Sequence, residues 1–129
     1  MNNSKHFFYG RISSSSQSKA RQLNCITENN LNIDERDIFF DVKSGKNFNR
    51  EQYLLLKHVI RAGDVIFVKS LDRFGRNYQE ILEEWRDITS KGVDIVVLDM
   101  PLLDTRQNKD LLGNFISKQS ICVNILLDI

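Results

Sequence analysis

Four short runs of consecutive apolar residues limit what this chain can fold into. The runs are Phe7–Tyr9, Ile38–Phe40, Val65–Val68 and Ile95–Leu98. Their apolar residues are continuous rather than alternating with polar ones, which is typical of strands covered on both faces. The stretches between them are helical in pattern, and each strand–helix unit takes roughly 25–30 residues, which suits a βαβ crossover. The chain is therefore predicted to form an α/β fold, a three-layer sandwich with a mostly parallel central sheet.

The clearest helical pattern lies between the third and fourth runs. Ile81, Leu82, Trp85 and Ile88 recur at the spacing of one helix face. Lys91-Gly92 then supplies the cation and the glycine that commonly end a helix. No internal repeat and no low-complexity linker interrupts the chain, so we expect residues 1–129 to form one domain.

The composition excludes several classes of protein. The chain has 129 residues with 18 basic and 17 acidic side chains, a net charge of +1. A nucleic-acid contact would therefore depend on a local cluster of arginines or on a part of the protein not present in this chain. Cys25 and Cys122 are too few for a disulfide framework, and no His or Cys residues have metal-site spacing. Without a signal sequence or an apolar stretch of ~20 residues, a cytoplasmic protein is expected.

Residues suited to phosphate chemistry follow three of the predicted strands. Arg11 and Ser13 follow the first run, Arg50 follows the second, and Arg73 and Arg76 follow the third. The carboxyl ends of parallel strands share one edge of the sheet, where ligands bind. Guanidinium groups match phosphate geometry, whereas a serine hydroxyl needs activation before it can attack. The pattern predicts a serine that attacks a phosphate ester while arginines stabilise the developing negative charge.

Three blocks of sequence resemble the catalytic domains of serine recombinases of the resolvase/invertase family. YGRIS at 9–13, followed by Gln17 and Gln22, is similar to the family's Y-x-R-[VI]-S opening with its two glutamines. LDRFGRN at 71–77 is similar to the family's L-D-R-L-G-R-[ND] block, and Ser44-Gly45 with Arg50 to its S-G…R segment. The blocks keep the family's order and spacing from residue 7 to about residue 115. The resemblance implies a resolvase catalytic-domain-like fold.

The resemblance also implies a reaction. Ser13 would attack a DNA phosphodiester, form a 5′-phosphoserine link and release a 3′ hydroxyl, before the strands are exchanged and rejoined. The scissile phosphate would be bound and activated by three arginines: Arg11, Arg73 and Arg76. Because the covalent link conserves the energy of the phosphodiester bond, no cofactor and no metal ion is implied.

Four other residues would support this reaction. Arg50 would assist from its loop, and Gln22 and Tyr9 would support the residues that touch the phosphate. The alternatives are that Gln22 faces solvent and that Tyr9 belongs mainly to the core. Asp72 is left between protonating the leaving oxygen, orienting an arginine and capping a helix.

The implied partners are DNA and further copies of the protein, as a dimer and as a tetramer in the synapse. The sequence departs from the family after Asp110, where the expected pattern of a long helix with a further active-site arginine is not found. We therefore expect a catalytic domain that lacks the full long C-terminal helix and the helix-turn-helix DNA-binding domain. On this reading the chain alone is weak or inactive, and a non-catalytic module that pairs with full-length recombinase subunits is the alternative function.

Overall fold

The computed structural model describes residues 4–12, 16–42 and 50–107. In chain order its main elements are β1 (His6–Ile12), α1 (Ser16–Glu28), β2 (Ile38–Val42), α2 (Glu51–Val59), β3 (Val65–Val68), α3 (Tyr78–Ser90) and β4 (Asp94–Val97). Two single 3-10 turns, Glu35–Asp37 and Leu71–Arg73, precede β2 and follow β3. Each of the four apolar runs is confirmed as the site of a strand. β1 continues beyond its run to include Arg11, whereas β4 begins at Asp94 and ends before Leu98.

The four strands form one sheet in the order β2-β1-β3-β4, and every neighbouring pair is parallel. The predicted α/β fold with a parallel central sheet is confirmed. The chain first steps from β1 outward to β2, then returns across β1 to β3 and continues to β4. Because crossovers between parallel strands are right-handed, this reversal places α1 on one face and both α2 and α3 on the other.

Packing on the two faces follows the alternation of side chains along each strand. On one face Phe8 of β1 packs in a cluster with Ile26 of α1. On the other face Phe7 packs in a second cluster with Leu56 of α2 and Trp85 of α3. Burying an apolar side chain of this size stabilises the fold by about 1.5–3 kcal/mol. The two clusters explain why the strand sequences are continuously apolar.

The helix α3 confirms the predicted pattern of its sequence. Asn77 caps its first turn, because the Asn77 side-chain oxygen accepts a 2.9 Å hydrogen bond from the backbone N–H of Glu80. Three residues of the apolar stripe are buried: Ile81, Trp85 and Ile88. The helix ends at Ser90 and is followed by Lys91 and Gly92. Gly92 has a φ of 81°, a left-handed conformation that favours glycine.

A short segment after β4 covers the edge of the sheet. Asp104 bridges Val96 in antiparallel fashion, and the backbone N–H of Thr105 donates to the Ile95 carbonyl at 3.0 Å. These bonds pair one edge that would otherwise offer free backbone groups. None of the helices that the structure describes is long and apolar enough to cross a membrane. Cys25 is only half-buried, and Cys122 lies outside the described residues.

Candidate functional site

The site lies at the carboxyl ends of β1 and β3, where the strand order reverses. Arg11, near the end of β1, is in register with Asp41 of β2, and Tyr9 is in register with Val68 at the end of β3. In open parallel sheets the crevice at such a reversal is the usual ligand site. The turn Leu71–Arg73 follows β3 directly into the same region.

Ser13, the predicted nucleophile, lies outside the described residues. Ser44 and Gly45 also lie outside them, as does the side chain of Gln17. The described part of the site surrounds the strand ends. It is formed by β1, α1, β2, the start of α2 and the segment after β3. It contains each of the other predicted site residues.

The electrostatic environment of Arg11 is set by burial and by the other charged residues of the site. Burial lowers the pKa of its half-buried guanidinium, and the positive charges of Arg50 and Arg73 act in the same direction. The negative charge of Asp72 acts in the opposite direction. Because arginine keeps its charge in proteins, these three guanidinium groups are held near one another at a cost in electrostatic repulsion. Such a cluster attracts an anion.

Arg50 is buried rather than exposed, with 9% of its surface accessible. It immediately precedes α2, and its guanidinium group lies over the ring of Tyr53 at 3.7 Å from the ring centre. Its two terminal nitrogens donate 2.8 Å hydrogen bonds to the backbone carbonyls of Arg73 and Phe74. The planar fork of arginine can hold two acceptors at once, whereas a lysine ammonium is a single point charge. Arg50 therefore braces the segment that carries Asp72 and Arg73.

Asp41 belongs to the site, although the sequence pattern did not single it out. Its buried carboxylate accepts three hydrogen bonds, from the Tyr9 hydroxyl at 2.7 Å and from the backbone N–H groups of Gln52 at 2.8 Å and Tyr53 at 3.0 Å. The last two donors form the first turn of α2, where a negative charge is favourable. The carboxylate thus joins β1, β2 and α2. Its position at the end of an apolar run was the available signal.

Tyr9 is fully buried between these groups. Desolvation raises the pKa of the Tyr9 hydroxyl well above its usual range, and the hydrogen bond that it donates to Asp41 acts in the same direction. Its ring lies 5.1 Å from the ring of Tyr53. Tyr9 is accordingly a neutral hydrogen-bond donor within the core of the site, which agrees with both the supporting role and the packing role predicted for it.

The segment after β3 presents Asp72 and Arg73. The exposed Asp72 carboxylate accepts from the Ser70 hydroxyl and lies 3.3 Å from Nη1 of Arg73. The Nε–H of Arg73 is buried and has no hydrogen-bond acceptor among the described residues. This geometry supports the interpretation that Asp72 orients an arginine.

Arg76 is the most exposed of the predicted phosphate ligands, with 65% of its side chain accessible. Its Nε lies 3.6 Å from Oε2 of Glu80, one turn into α3. The other carboxylate oxygen of Glu80 lies 3.9 Å from Nη1 of Arg50. Glu80 was not among the predicted site residues, because an acid three residues after a helix cap is ordinary in sequence.

Gln22 is buried on α1 rather than facing solvent, with 3% of its surface accessible. Its Nε2 donates a 2.8 Å hydrogen bond to the backbone carbonyl of Arg11. Its Oε1 is buried and has no donor among the described residues. A Cβ added at Gly10 would collide with this oxygen and with the ring of Phe40, so the glycine allows the close approach of α1 to β1. Gln22 thereby supports the strand that carries Arg11.

The structure thus brings most of the predicted residues into one region. Arg50 contacts the Tyr9 ring and the Arg73 carbonyl, and Arg73 pairs with Asp72. Gln22 bonds to the Arg11 carbonyl, and Glu80 lies between Arg50 and Arg76. Within the described ranges no group of three or more His, Cys, Asp or Glu side chains is arranged to hold a metal ion. Among the described residues, the guanidinium groups carry a permanent positive charge that can stabilise a negatively charged ligand.

The fold and the site define a class of protein, a parallel α/β domain that carries arginines at the reversal of its strand order, where ligands usually bind in such folds. The particular family follows from comparison. The chain belongs to the resolvase N-terminal domain family, whose family model matches residues 6–120.

Individual relatives agree with this membership. The chain is 36% identical over 93 residues to a resolvase/recombinase of Pseudomonas putida, covering 72% of this chain and 50% of that protein. It is 33% identical over 93 residues to the transposon Tn3 resolvase of Escherichia coli, covering 72% of this chain and 49% of that protein. The chain thus spans about half the length of these curated relatives.

Solved structures show the same fold. A resolvase family site-specific recombinase from Streptococcus pneumoniae superimposes with a TM-score of 0.66 at 22% identity, over 95% of this chain and 92% of that one. The catalytic domain of an IS607-like serine recombinase gives a TM-score of 0.56 at 28% identity, over 88% of this chain and 79% of that one. The recognised family and the expected catalytic-domain fold are both confirmed.

Proposed function

We propose that this chain supplies the DNA-cleaving centre of a serine site-specific recombinase. The observation that carries the proposal is that Arg11, near the end of β1, and Arg73, just after β3, lie at one edge of the sheet, where Arg50 donates to the Arg73 carbonyl. Ser13 follows Arg11 by two residues in the sequence, and the family of the chain is that of the resolvases. A serine beside clustered arginines is suited to attack on a phosphate diester.

The reaction proposed is a transesterification. The Ser13 oxygen attacks phosphorus and loses its proton, the bond from phosphorus to the 3′ oxygen breaks, and that oxygen leaves and takes up a proton. The product is a 5′-phosphoserine ester and a free 3′ hydroxyl, and the reverse reaction with a new 3′ hydroxyl rejoins the strands. One phosphoester bond is exchanged for another, so no external energy source is required.

The described residues divide the work in this scheme. Arg11, Arg73 and Arg76 contribute positive charge to the phosphate oxygens, where negative charge grows in the transition state. Arg50, held against the carbonyls of Arg73 and Phe74, keeps the segment after β3 in place. Asp72, beside Arg73, orients that guanidinium group and is the candidate acid for the leaving oxygen.

The partners follow from the same proposal. DNA is the substrate, and because the net charge of the chain is only +1, its contact with DNA rests on the arginines of the site and on other parts of a recombinase. Strand exchange between two sites requires several subunits, so a dimer that assembles into a tetramer on DNA is the proposed active form. A protein that acts on bacterial-type DNA elements would work in the cytoplasm.

The test uses this chain fused to the recognition domain of a resolvase whose DNA site is known. The substrate is a duplex carrying that site with a bridging 3′ phosphorothiolate, whose 3′ thiol leaving group rejoins poorly, or with a nick that traps cleaved DNA. We expect a protein–DNA adduct that survives denaturant, is removed by protease and maps to Ser13 by mass spectrometry. Ser13→Ala should abolish the adduct, whereas Ser14→Ala, the matched neighbour, should retain it.

The proposal fails if Ser13→Ala still forms the adduct or if the adduct maps to another residue. If the wild-type fusion binds its site and gives no adduct, yet blocks cleavage by the parent resolvase when the two are mixed, the chain is the non-catalytic pairing module instead.

A further inference from the structure

Glu80 occupies an unusual place for an acidic residue in a site directed at phosphate. Its carboxylate lies between two arginines, with Oε1 at 3.9 Å from Nη1 of Arg50 and Oε2 at 3.6 Å from Nε of Arg76. One negative group thus faces a buried guanidinium on one side and an exposed guanidinium on the other. A phosphate bound at Arg76 would be a negative group paired with the same guanidinium.

The local fold holds Glu80 in this place. The backbone N–H of Glu80 donates a 2.9 Å hydrogen bond to Oδ1 of Asn77, which fixes Glu80 in the first turn of α3. A Cβ added at Gly75 would lie 2.9 Å from both Cβ and Cγ of Glu80, so the side chain packs directly on the bare backbone of Gly75. The carboxylate is therefore led back over the chain toward Arg76 instead of into solvent.

The two ion pairs of Glu80 differ in how easily they can be exchanged. The Arg50 side chain is 9% accessible, and a buried cation needs a compensating negative charge. The Arg76 side chain is 65% accessible, and an exposed ion pair is worth only a factor of roughly two to five in an equilibrium constant. An incoming phosphate can thus replace Glu80 at Arg76 while Glu80 stays beside Arg50.

We propose that Glu80 is a positioning residue that holds Arg76 in the DNA-free protein and yields it to the phosphate of the substrate. The inference rests on the proposed function, because it takes Arg76 as a phosphate ligand. Glu80 does not touch the reacting atoms. It acts through Arg76, because it keeps the Arg76 guanidinium at the site. Phosphate must displace the Glu80 carboxylate to bind there.

The experiment measures binding of inorganic phosphate to the 129-residue chain, with chloride used to hold the ionic strength constant. The arginine Nε–H resonances report on each guanidinium group, and the Arg76 signal is assigned from its loss in Arg76→Ala. Glu80→Gln keeps the size of the side chain and removes its charge. We expect the association constant for phosphate at Arg76 to rise roughly two- to five-fold in this variant, because the internal competitor is gone.

Two controls separate this effect from general charge and from folding. Glu83 is exposed on the same helix and has no ion pair among the described residues, so Glu83→Gln removes the same charge and should leave phosphate affinity nearly unchanged. In the double variant Arg76→Ala with Glu80→Gln, the phosphate affinity read from the remaining arginine resonances should equal that of Arg76→Ala alone, which a merely structural role of Glu80 would not predict. If Glu80→Gln does not fold, Glu80→Asp retains the charge for Arg50 and should give a smaller gain.

The inference is overturned if removing the Glu80 charge leaves phosphate affinity equal to or below that of the wild type. It is also overturned if Glu83→Gln gives the same gain, or if the gain persists without Arg76. Failure of the proposed function has a different signature, in which none of the arginine resonances of the wild type or of any variant responds to phosphate. That result would remove the phosphate site and the role of Glu80 with it.

Discussion

Asp41 is the residue whose replacement should damage the site framework most directly. Its carboxylate accepts from the Tyr9 hydroxyl and the Tyr53 N–H through one oxygen and from the Gln52 N–H through the other. In Asp41→Asn the amide oxygen can keep the first two donors only if the amide NH₂ faces the Gln52 N–H. One hydrogen bond is then replaced by two opposed donors, and the negative charge at the start of α2 is lost.

The size of the effect follows from these contacts. A lost hydrogen bond to a charged group costs about 1.5–3 kcal/mol, and the lost charge at a helix N-terminus costs about 0.3–1 kcal/mol. We therefore expect Asp41→Asn to lower the free energy of unfolding by about 3 kcal/mol. For a domain of this length that corresponds to a fall in Tm of about 10 °C.

Urea unfolding followed by the fluorescence of Trp85 measures this change. Trp85 is the single tryptophan, and it is buried in the core cluster next to Phe74, so its emission reports on the packed state. The denaturant slope should stay the same, which would show that stability and not compactness has changed. Tyr9→Phe removes one of the three donors and should cost about 1 kcal/mol.

Asp99→Asn is the matched control, because Asp99 is exposed and its carboxylate accepts no hydrogen bond among the described residues. It should change the unfolding free energy by less than about 0.5 kcal/mol. A loss below about 1 kcal/mol in Asp41→Asn would refute the reasoning. It would mean that the three bonds to this carboxylate do not hold the site together.

Two further changes test the packing around the site. Gly10→Ala should lower the unfolding free energy by roughly 1–3 kcal/mol, because the added methyl group meets Gln22 and the ring of Phe40, and an unchanged thermal midpoint would contradict this. Lys57 lowers the pKa of Asp87 by a hydrogen bond, so the stability from this pair is complete above the unfolded-state pKa near 3.9 and is lost as the pH falls through the lower folded-state pKa. Lys57→Met should therefore cost roughly 1 kcal/mol at pH 7 and flatten the acid-induced loss, as urea titrations at pH 7 and pH 3 would show.

The fold could be predicted from sequence because its main determinant is local. A strand covered on both faces has apolar residues at every position. The runs at 7–9, 38–40, 65–68 and 95–98 have this pattern. The placement of Arg11 and Arg73 at one edge follows once the strands are parallel. The sequence therefore predicted the region of the site as well as the fold.

The contacts within the site could not be predicted in the same way. Arg50 was expected to assist from a loop, but whether its side chain turns outward or inward depends on how α2 docks on the sheet. Asp41 and Glu80 lie outside the sequence blocks that resemble the family. The role of each depends on the arginine or the helix end that lies beside it in space. These features depend on tertiary packing, which no short segment encodes.

The carboxylates resolve a difficulty that the arginines create. Guanidinium groups collected at one strand edge repel one another, and they would destabilise the DNA-free fold if left uncompensated. Buried Arg50 is compensated by backbone carbonyls and Glu80, and Arg73 by Asp72. The exposed pair of Arg76 with Glu80 is the weakest of these arrangements and hence the one that a phosphate can replace at least cost. Under the proposed function, the site stays folded without DNA and still binds phosphate because exposed Arg76 has an exchangeable partner and buried Arg50 does not.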